Sequence, residues 1–268
     1  MRPIGKRNLL GVLVDAVDYE HAVASILTAA ERRRGYSVTA LAVHGVMTGV
    51  QDETHRQRLN GFDLVTPDGQ PVRWALNLLY KTGLKDRVYG PTLTLKVCAA
   101  AAETGVPIYL YGSRQDVLDN MSDNLTEQFP GLIIAGAEPS KFRQTTAEEK
   151  LEIAERIRAS GARITFVGLG CPRQEVFAYE YRDLLSMPVI AVGAAFDYHA
   201  GFVNEPPAWI QRAGLQWLYR LIQNPRRLWR RYLLLNPAYV TLVFLQWVGL
   251  RRPEPRPVEQ PIPDVLYG

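Results

Sequence analysis

The chain has 268 residues, 47% of them hydrophobic and 22% charged, with a net charge of +4 at pH 7. This composition excludes a disordered or fibrous protein and suits one large hydrophobic core or two small ones. Two cysteines, Cys98 and Cys171, are too few for a disulfide framework, and no basic flank followed by an apolar run opens the chain as a signal peptide would. We therefore expect a cytoplasmic protein. Even the apolar stretch over 238–250 is too short to span a bilayer, and it contains Gln246.

Positive charge is concentrated towards the end of the chain. Residues 206–252 contain eight arginines and no acidic residue. The rest of the chain is therefore mildly acidic, and the basic character of the protein belongs to this segment.

Hydrophobic periodicity and turn residues predict alternating strands and helices before residue 206. In chain order we predict a strand pair over 9–17 bent at Val14-Asp15, helix 19–33, strand 38–43, helix 45–59, strand 62–65, helices 72–80 and 92–103, strand 107–111, helix 115–129, strand 132–137, helix 148–160, strand 163–167, helix 172–185 and strand 189–192. Such alternation with short connections is typical of an α/β protein whose mostly parallel sheet has helices on both faces.

The remaining chain has a different character. Residues 206–252 predict three helical pieces, because Asn224-Pro225 and Asn236-Pro237 each place a capping residue before a first-turn proline. Four of the five tryptophans also fall there. The Pro-rich residues 253–268 predict a disordered tail. We therefore divide the chain into a core over 1–205, a basic Trp-rich helical appendage and this tail.

Asp68 is the first candidate for chemistry. It follows a predicted buried strand and precedes Gly69, at the place where open α/β sheets usually bind ligands. The sequence Pro67-Asp68-Gly69 is also a strong β-turn signal, so a carboxylate that only shapes a turn is the alternative. His44 ends the preceding strand, so two strands deliver polar side chains at their carboxyl ends.

A second candidate is the turn at Gly112 and Ser113, which follows a strand and opens a helix. The free N–H groups of a helix start suit a phosphate, although such turns are ordinary in α/β proteins. Neither a dinucleotide-binding fingerprint nor a P-loop motif occurs in the chain. A dinucleotide-dependent redox enzyme and a P-loop NTPase are therefore disfavoured.

A third candidate is the loop with Gly168 and Gly170, where backbone can approach a ligand closely. It leads into a helix whose first turn carries Arg173 and Gln174. The Gln174 amide both donates and accepts hydrogen bonds and so suits sugar hydroxyls, while the alternative is an ordinary helix start. Asp197, after the last predicted strand, could bind ribose hydroxyls.

The sequence gives no sign of a metal site. His44 and His199 are isolated, and neither a D-x-D pair nor a His/Cys spacing for zinc is present. Cys171 lies beside a helix start, but no paired base supports a nucleophile. We expect no metal and no cofactor.

The basic appendage has three interpretations. A solvated helical face conflicts with the absence of acids, and nucleic acid would leave apolar residues such as Leu233 and Phe244 unused. A membrane surface uses both the arginines and the aromatic residues. We therefore expect a membrane partner and no nucleic acid, and a homo-oligomer is compatible with the sequence.

Together these segments resemble the WecG/TagA/CpsF family of glycosyltransferases, over about residues 10–239. The resemblance is carried by Pro67-Asp68-Gly69, Arg87 with Gly90, Leu110-Tyr111-Gly112, Gly168-Leu169-Gly170 with Pro172-Arg173-Gln174-Glu175, Val192 to Asp197 with Gly201, and Trp217 to Leu221 through Pro225-Arg226-Arg227 to Arg231-Tyr232. Each segment alone occurs by chance, but their common order is specific.

The resemblance implies a Rossmann-like core of the GT-E type and a C-terminal appendage that completes the site at the membrane. It implies metal-independent, inverting transfer of a sugar from a UDP-sugar to a polyprenyl-diphosphate-linked sugar, in bacterial cell-surface polysaccharide synthesis at the inner face of the cytoplasmic membrane. Asp68 matches the proposed general base, Arg87 the phosphate-facing arginine, and Gln174 the glutamine of the family's Pro-Lys-Gln-Glu motif.

From the motifs and the resemblance we predict three sets of residues. The catalytic residues are Asp68, Arg87 and Gln174. The substrate-binding residues are His44, Gly69, Gly90, Gly112, Ser113, Gly168, Gly170, Arg173 and Asp197. The residues facing the membrane or the lipid diphosphate are Arg212, Arg220, Arg227, Arg231, Trp217 and Trp229.

This chain also departs from the family pattern. His44 stands where relatives often have Asn, Asn204-Glu205-Pro206 replaces Arg-Ala-Pro, and Gln216 replaces a common Glu. The donor sugar therefore stays open among N-acetylmannosamine, its uronic acid and glucose. A non-catalytic, nucleotide-sensing peripheral membrane protein and a nucleic-acid-binding protein are the alternatives from other functional classes.

Overall fold

A computed structural model describes residues 5–255, 262 and 264–268, except the side chains of Arg227 and Arg231. Its centre is a sheet of six strands, which are β3 (Tyr36–Leu41), β4 (Leu64–Pro67), β5 (Ile108–Gly112), β6 (Ile134–Glu138), β7 (Ile164–Gly168) and β8 (Pro188–Ala191). Their order in the sheet is β4-β3-β8-β7-β5-β6, and every neighbouring pair is parallel. Apolar runs suit these strands because both faces of the sheet are covered.

Two clusters of buried apolar residues hold helices on the two faces, which confirms the predicted α/β class. One face carries α1 (Tyr19–Glu31), α5 (Gly90–Thr104), α6 (Gln115–Gln128) and α9 (Ala194–His199). The other carries α2 (Val43–Gln51), α3 (Glu53–Asn60), α4 (Gln70–Tyr80), α7 (Ala147–Ala159) and α8 (Arg173–Leu185). The predicted helix over 45–59 is in fact two helices, because the Asp52 side chain accepts a 2.9 Å hydrogen bond from His55 N and caps α3.

The start of the chain forms an antiparallel hairpin of β1 (Lys6–Leu9) and β2 (Val12–Asp15). The predicted bend at Val14-Asp15 is wrong, because the chain turns at Leu10-Gly11, where both residues have positive φ, 58° and 93°. Asp15 instead ties the hairpin to the sheet, since its Oδ2 accepts a 2.8 Å hydrogen bond from Val65 N.

The C-terminal region is helical as predicted, with α10 (Ala208–Arg212), α11 (Gln216–Gln223) and α12 (Pro225–Trp247). The break expected at Asn236-Pro237 does not occur, because α12 continues through Pro237. An internal proline costs roughly 3 kcal/mol, but Tyr239 and Val243 beyond it are buried against the core and offset this cost. Over the described residues, no helix combines the length and hydropathy needed to cross a bilayer.

The end of the chain lies against the core, where the Pro-rich composition predicts disorder. The Glu180 side chain is 2% exposed and accepts hydrogen bonds from Val265 N (2.7 Å) and Leu266 N (3.3 Å). Leu266 O accepts one from Thr145 N (2.7 Å). Residues 256–261 and 263 lie outside the described residues, and the boundaries of the predicted domains stay a prediction.

Candidate active site

A cavity of about 730 Å³ opens at the carboxyl ends of β3 and β4, between the sheet edge and the C-terminal helices. The sheet side is formed by Ala42, Val43, His44, Asp68, Gly69, Gln70, Pro71, Trp74, Arg87, Tyr89 and Ala194. The helical side is formed by residues of segments 213–220 and 232–241. Its volume lies in the usual range for small-molecule sites, and its place at the strand ends is the usual one in open α/β sheets.

Asp68 lies at the end of β4 and is the only acid among the described residues that line the cavity. Burial raises the pKa of its carboxyl group, while Arg87, the N–H of Gly90 and Arg220 act in the opposite direction. Gly90 N donates to Asp68 Oδ2 at 3.3 Å. The backbone turns at Gly69, whose φ is +86°, and continues into α4. Asp68 is therefore both a turn residue and a residue of the cavity, because the turn directs its carboxylate into the cavity.

Arg87 is 5% exposed and is held by neutral groups. Its guanidinium donates to Gln216 Oε1 at 2.6 Å and to Gln211 Oε1 at 2.9 Å, and it stacks 4.1 Å from the centre of the Tyr89 ring. Gln216 Nε2 in turn donates to the Tyr89 hydroxyl at 2.6 Å. None of these partners neutralises the charge, so Arg87 can act on Asp68 and on an anionic ligand.

The appendage contributes a second cation, because Arg220 and Trp217 of α11 also line the cavity. Trp217 packs against Tyr232 of α12, with the ring centres 5.9 Å apart. Of the other residues predicted to face the membrane or a lipid diphosphate, Arg212 and Trp229 are exposed and lie outside the cavity lining. The predicted roles of Arg227 and Arg231 fall on side chains outside the described part of the chain.

Gln174 is buried behind the cavity and does not line it. Its Nε2 donates to Glu175 Oε1 at 2.9 Å, and its Oε1 accepts from Gly170 N at 3.2 Å. It also packs closely on Gly193, where a Cβ would lie 2.2 Å from Gln174 Oε1 and would displace the Gln174 amide. Gln174 therefore does not line the cavity with Asp68 and Arg87 but contacts two loops at the strand ends, and its catalytic role stays a prediction.

The remaining predicted residues lie along the same sheet edge but outside the cavity lining. Gly112 (φ +106°) lies so close to Gly168 that a Cβ would meet its backbone at 3.0 Å, which explains why a glycine is needed there. Arg173 is exposed, with its guanidinium 5.7 Å from the Tyr267 ring. Ser113 and Gly170 both have positive φ, and Asp197 is half-buried on α9.

Sequence reasoning missed the residues that hold Arg87. Gln216 was noted only as a departure from the family pattern. Gln211 and Tyr89 were not proposed as site residues. Trp74, also missed, forms part of the cavity wall. Gln211 and Gln216 lie more than 120 positions from Arg87 along the chain, which conceals their contacts, whereas Tyr89 lies only two residues away and could have been identified from that proximity.

A buried polar cluster lies at the α3–α8 contact. Ligand-type atoms of His55, Cys171 and Glu175 all fall within 4.8 Å of one another. Burial lowers the pKa of His55 to about 4 and raises the pKa of Glu175. Both side chains are therefore driven towards their neutral forms.

A parallel sheet covered on both faces, with a carboxylate and arginines around a cavity at its carboxyl edge, defines a ligand-binding α/β protein. The family model of the glycosyl transferase WecG/TagA/CpsF family matches residues 7–253. The chain belongs to this family.

Two relatives carry the name N-acetylglucosaminyldiphosphoundecaprenol N-acetyl-beta-D-mannosaminyltransferase. The one from Bacillus spizizenii is 33% identical over 195 residues, which cover 72% of this chain and 73% of the relative. The one from Bacillus subtilis strain 168 is 27% identical over 228 residues, covering 85% and 86% respectively. The chain is thus similar to transferases whose names state a lipid-linked acceptor.

Proposed function

We propose that this protein is an inverting glycosyltransferase that moves a sugar from a UDP-sugar to a polyprenyl-diphosphate-linked sugar in bacterial cell-surface polysaccharide synthesis. The observation that carries the proposal is Asp68, a carboxylate with a raised pKa that faces a ligand-sized cavity together with Arg87 and Arg220. The relatives' names favour N-acetylmannosamine as the donor sugar and an N-acetylglucosaminyl-diphospholipid as the acceptor. The uronic acid and glucose are the competing donors.

In the proposed reaction, Asp68 takes the proton of the acceptor hydroxyl while the oxygen of that hydroxyl attacks the anomeric carbon of the donor sugar. The bond from that carbon to the UDP oxygen breaks on the opposite face, so the configuration inverts. A general base works best when its pKa lies near the working pH, and burial moves Asp68 in that direction.

The leaving diphosphate carries the charge that the site must stabilise. Arg87 and Arg220 supply two positive charges at the cavity, which supports transfer in which arginines take the role that a divalent cation has in other sugar transferases. The arrangement is preorganised, because Arg87 is already fixed by Gln211 and Gln216.

The lipid part of the acceptor accounts for the outer, apolar part of the cavity. Leu233, Leu235, Pro237 and Val240 of α12 form that wall with Trp74. Outside it, α11 and α12 expose further large apolar side chains, including Ile222 (72% exposed) and Leu234 (64%). We propose that this surface and the arginines rest on the inner face of the cytoplasmic membrane.

A panel of UDP-sugars offered with polyprenyl-diphosphate N-acetylglucosamine tests the proposal. We expect one donor to be transferred, with product mass rising by one sugar and with inverted anomeric configuration by NMR. Binding of UDP-sugars without any product from the panel would instead favour the nucleotide-sensing alternative. Retained configuration would exclude the direct displacement described here.

A further inference from the structure

The buried cluster of His55, Cys171 and Glu175 has no place in the transfer reaction, since none of the three lines the cavity. His55 belongs to α3, Glu175 to the first turn of α8, and Cys171 to the loop between β7 and α8. Histidine nitrogen, cysteine sulfur and carboxylate oxygen are the three ligand types that proteins use for zinc. The fold has therefore assembled a zinc-type ligand set from distant parts of the sequence.

The polar atoms of this cluster are incompletely satisfied. Both ring nitrogens of His55, a residue that is 2% exposed, are buried without a hydrogen-bond partner among the described residues. Glu175 is 1% exposed, its Oε1 accepts from Gln174 (2.9 Å) and Thr39 (3.3 Å), and the Cys171 thiol is a further hydrogen-bond partner of this carboxyl group. Buried polar groups are nearly always satisfied, and a cation bound here would give one His55 ring nitrogen the partner that it lacks.

We propose that His55, Cys171 and Glu175 bind a divalent cation of the zinc class, with a water molecule as the fourth ligand, at a site separate from sugar transfer. The three ligand atoms already lie within 4.8 Å of one another, so coordination at about 2.0–2.3 Å requires only a small contraction. The thiolate and the carboxylate together neutralise the cation, and the protons of the Cys171 thiol and the Glu175 carboxyl group leave to solvent on binding.

The charged neighbours do not oppose the cation. Asp52 and Arg58 face His55 and carry charges of opposite sign. The nearest polar neighbour of the Cys171 sulfur on α2 is the neutral Thr48 hydroxyl, at 4.0 Å. The proposed ion would join α3 to the loop with Gly168 and Gly170 and to the start of α8, which holds that sheet edge in place.

Cobalt and zinc binding to the reduced, chelator-treated full-length protein tests the site. We expect about one equivalent of zinc by elemental analysis, a thiolate-to-cobalt charge-transfer band in the near ultraviolet, and protection of Cys171 from a maleimide by zinc. Cys171→Ser and His55→Asn should lower the affinity more than about 100-fold, which exceeds the loss usual for a second-shell partner. Cys98→Ser is the matched control, because Cys98 is buried on the other face of the sheet.

The zinc content, the charge-transfer band and the protection of Cys171 are measured on the wild type, so they test the proposal even if a variant fails to fold. Clearly less than one equivalent of zinc, with no charge-transfer band and no protection of Cys171, would overturn the proposal and leave a neutral hydrogen-bonded cluster. A band that persists in Cys171→Ser and disappears in Cys98→Ser would also overturn it. Neither outcome bears on the transferase, whose activity is measured separately.

Discussion

Arg87 and Gln216 form a 2.6 Å hydrogen bond that joins the sheet edge to the first residue of α11. Both residues are buried, and Gln216 also donates to the hydroxyl of Tyr89, on whose ring Arg87 stacks. The arginine proposed to meet the diphosphate is thus held by the appendage. Movement of α11 would therefore displace Arg87 together with Trp217 and Arg220, which line the same cavity.

Substituting Gln216 with Leu tests this connection. The change leaves one Arg87 nitrogen and the Tyr89 hydroxyl without their partner, which should cost about 1–3 kcal/mol and raise the KM for the donor. Thermal unfolding and steady-state kinetics measure the two effects. Gln223→Leu, at the exposed end of the same helix, is the control, and equal behaviour of the two variants would show that the bond has no role.

Asp68→Asn removes the proposed base and keeps the shape of the side chain. We expect transfer to fall by about 10²–10⁴-fold while UDP-sugar binding, measured by calorimetry, stays within a few-fold of wild type. Asp123→Asn, an exposed acid on α6, controls for the loss of one negative charge. Full turnover by the Asp68 variant would show that the base is another group.

The raised pKa of Asp68 also predicts a pH dependence. In the native state Asp68 keeps its proton at pH values above its ordinary pKa of 3.8, where the unfolded state loses it. The stability of the wild type therefore decreases as the pH rises from 3.8 through the raised pKa of Asp68. Asp68→Asn lacks this loss and should be more stable than wild type at pH 7, with the difference shrinking towards pH 4. Chemical denaturation across that range measures it, and wild-type kcat/KM should fall on the acid side as Asp68 becomes protonated. An Asn variant less stable than wild type at pH 7 would contradict the sign.

Membrane contact through the appendage predicts that charge on its apolar surface weakens vesicle binding. Ile222→Asp and Leu234→Asp should reduce flotation with anionic vesicles, because each places a charge where an acyl-chain boundary would lie. Leu151 on α7 is 57% exposed and lies in the segment 1–205, outside the appendage, so Leu151→Asp should float like wild type. Equal flotation of all three variants would place the membrane surface elsewhere.

The contact between Glu180 and the end of the chain predicts a loss of stability on substitution. The Glu180 carboxylate accepts hydrogen bonds from the N–H groups of Val265 and Leu266 and lies 3.7 Å from the Lys150 ammonium. Glu180→Gln removes the negative charge of this carboxylate. We expect a cost of about 1–3 kcal/mol and faster proteolysis after residue 253. Glu152→Gln, exposed on α7, should change neither quantity.

The sequence alone determined the α/β class, because the strand and helix periodicities are local and both faces of the sheet need apolar runs. It also placed Asp68 at a strand end, since Pro-Asp-Gly ends the apolar run there, and it predicted helices after residue 206. The family resemblance singled out Arg87 by its order among the motifs. The periodicities and the Pro-Asp-Gly signal are encoded within a few neighbouring residues, whereas the order of the motifs extends along the chain.

Only the tertiary structure decided which of these residues meet. It placed Arg87 and Asp68 in the lining of one cavity and Gln174 outside that lining, against Gly193, although Arg87, Asp68 and Gln174 all belong to the resemblance. It carried α12 through Pro237, because burial of side chains beyond the proline outweighs a local stop signal. The cluster of His55, Cys171 and Glu175 has no sequence spacing that reveals it. Contacts between residues more than a hundred positions apart depend on how helices pack on the sheet, and local sequence patterns do not determine that packing.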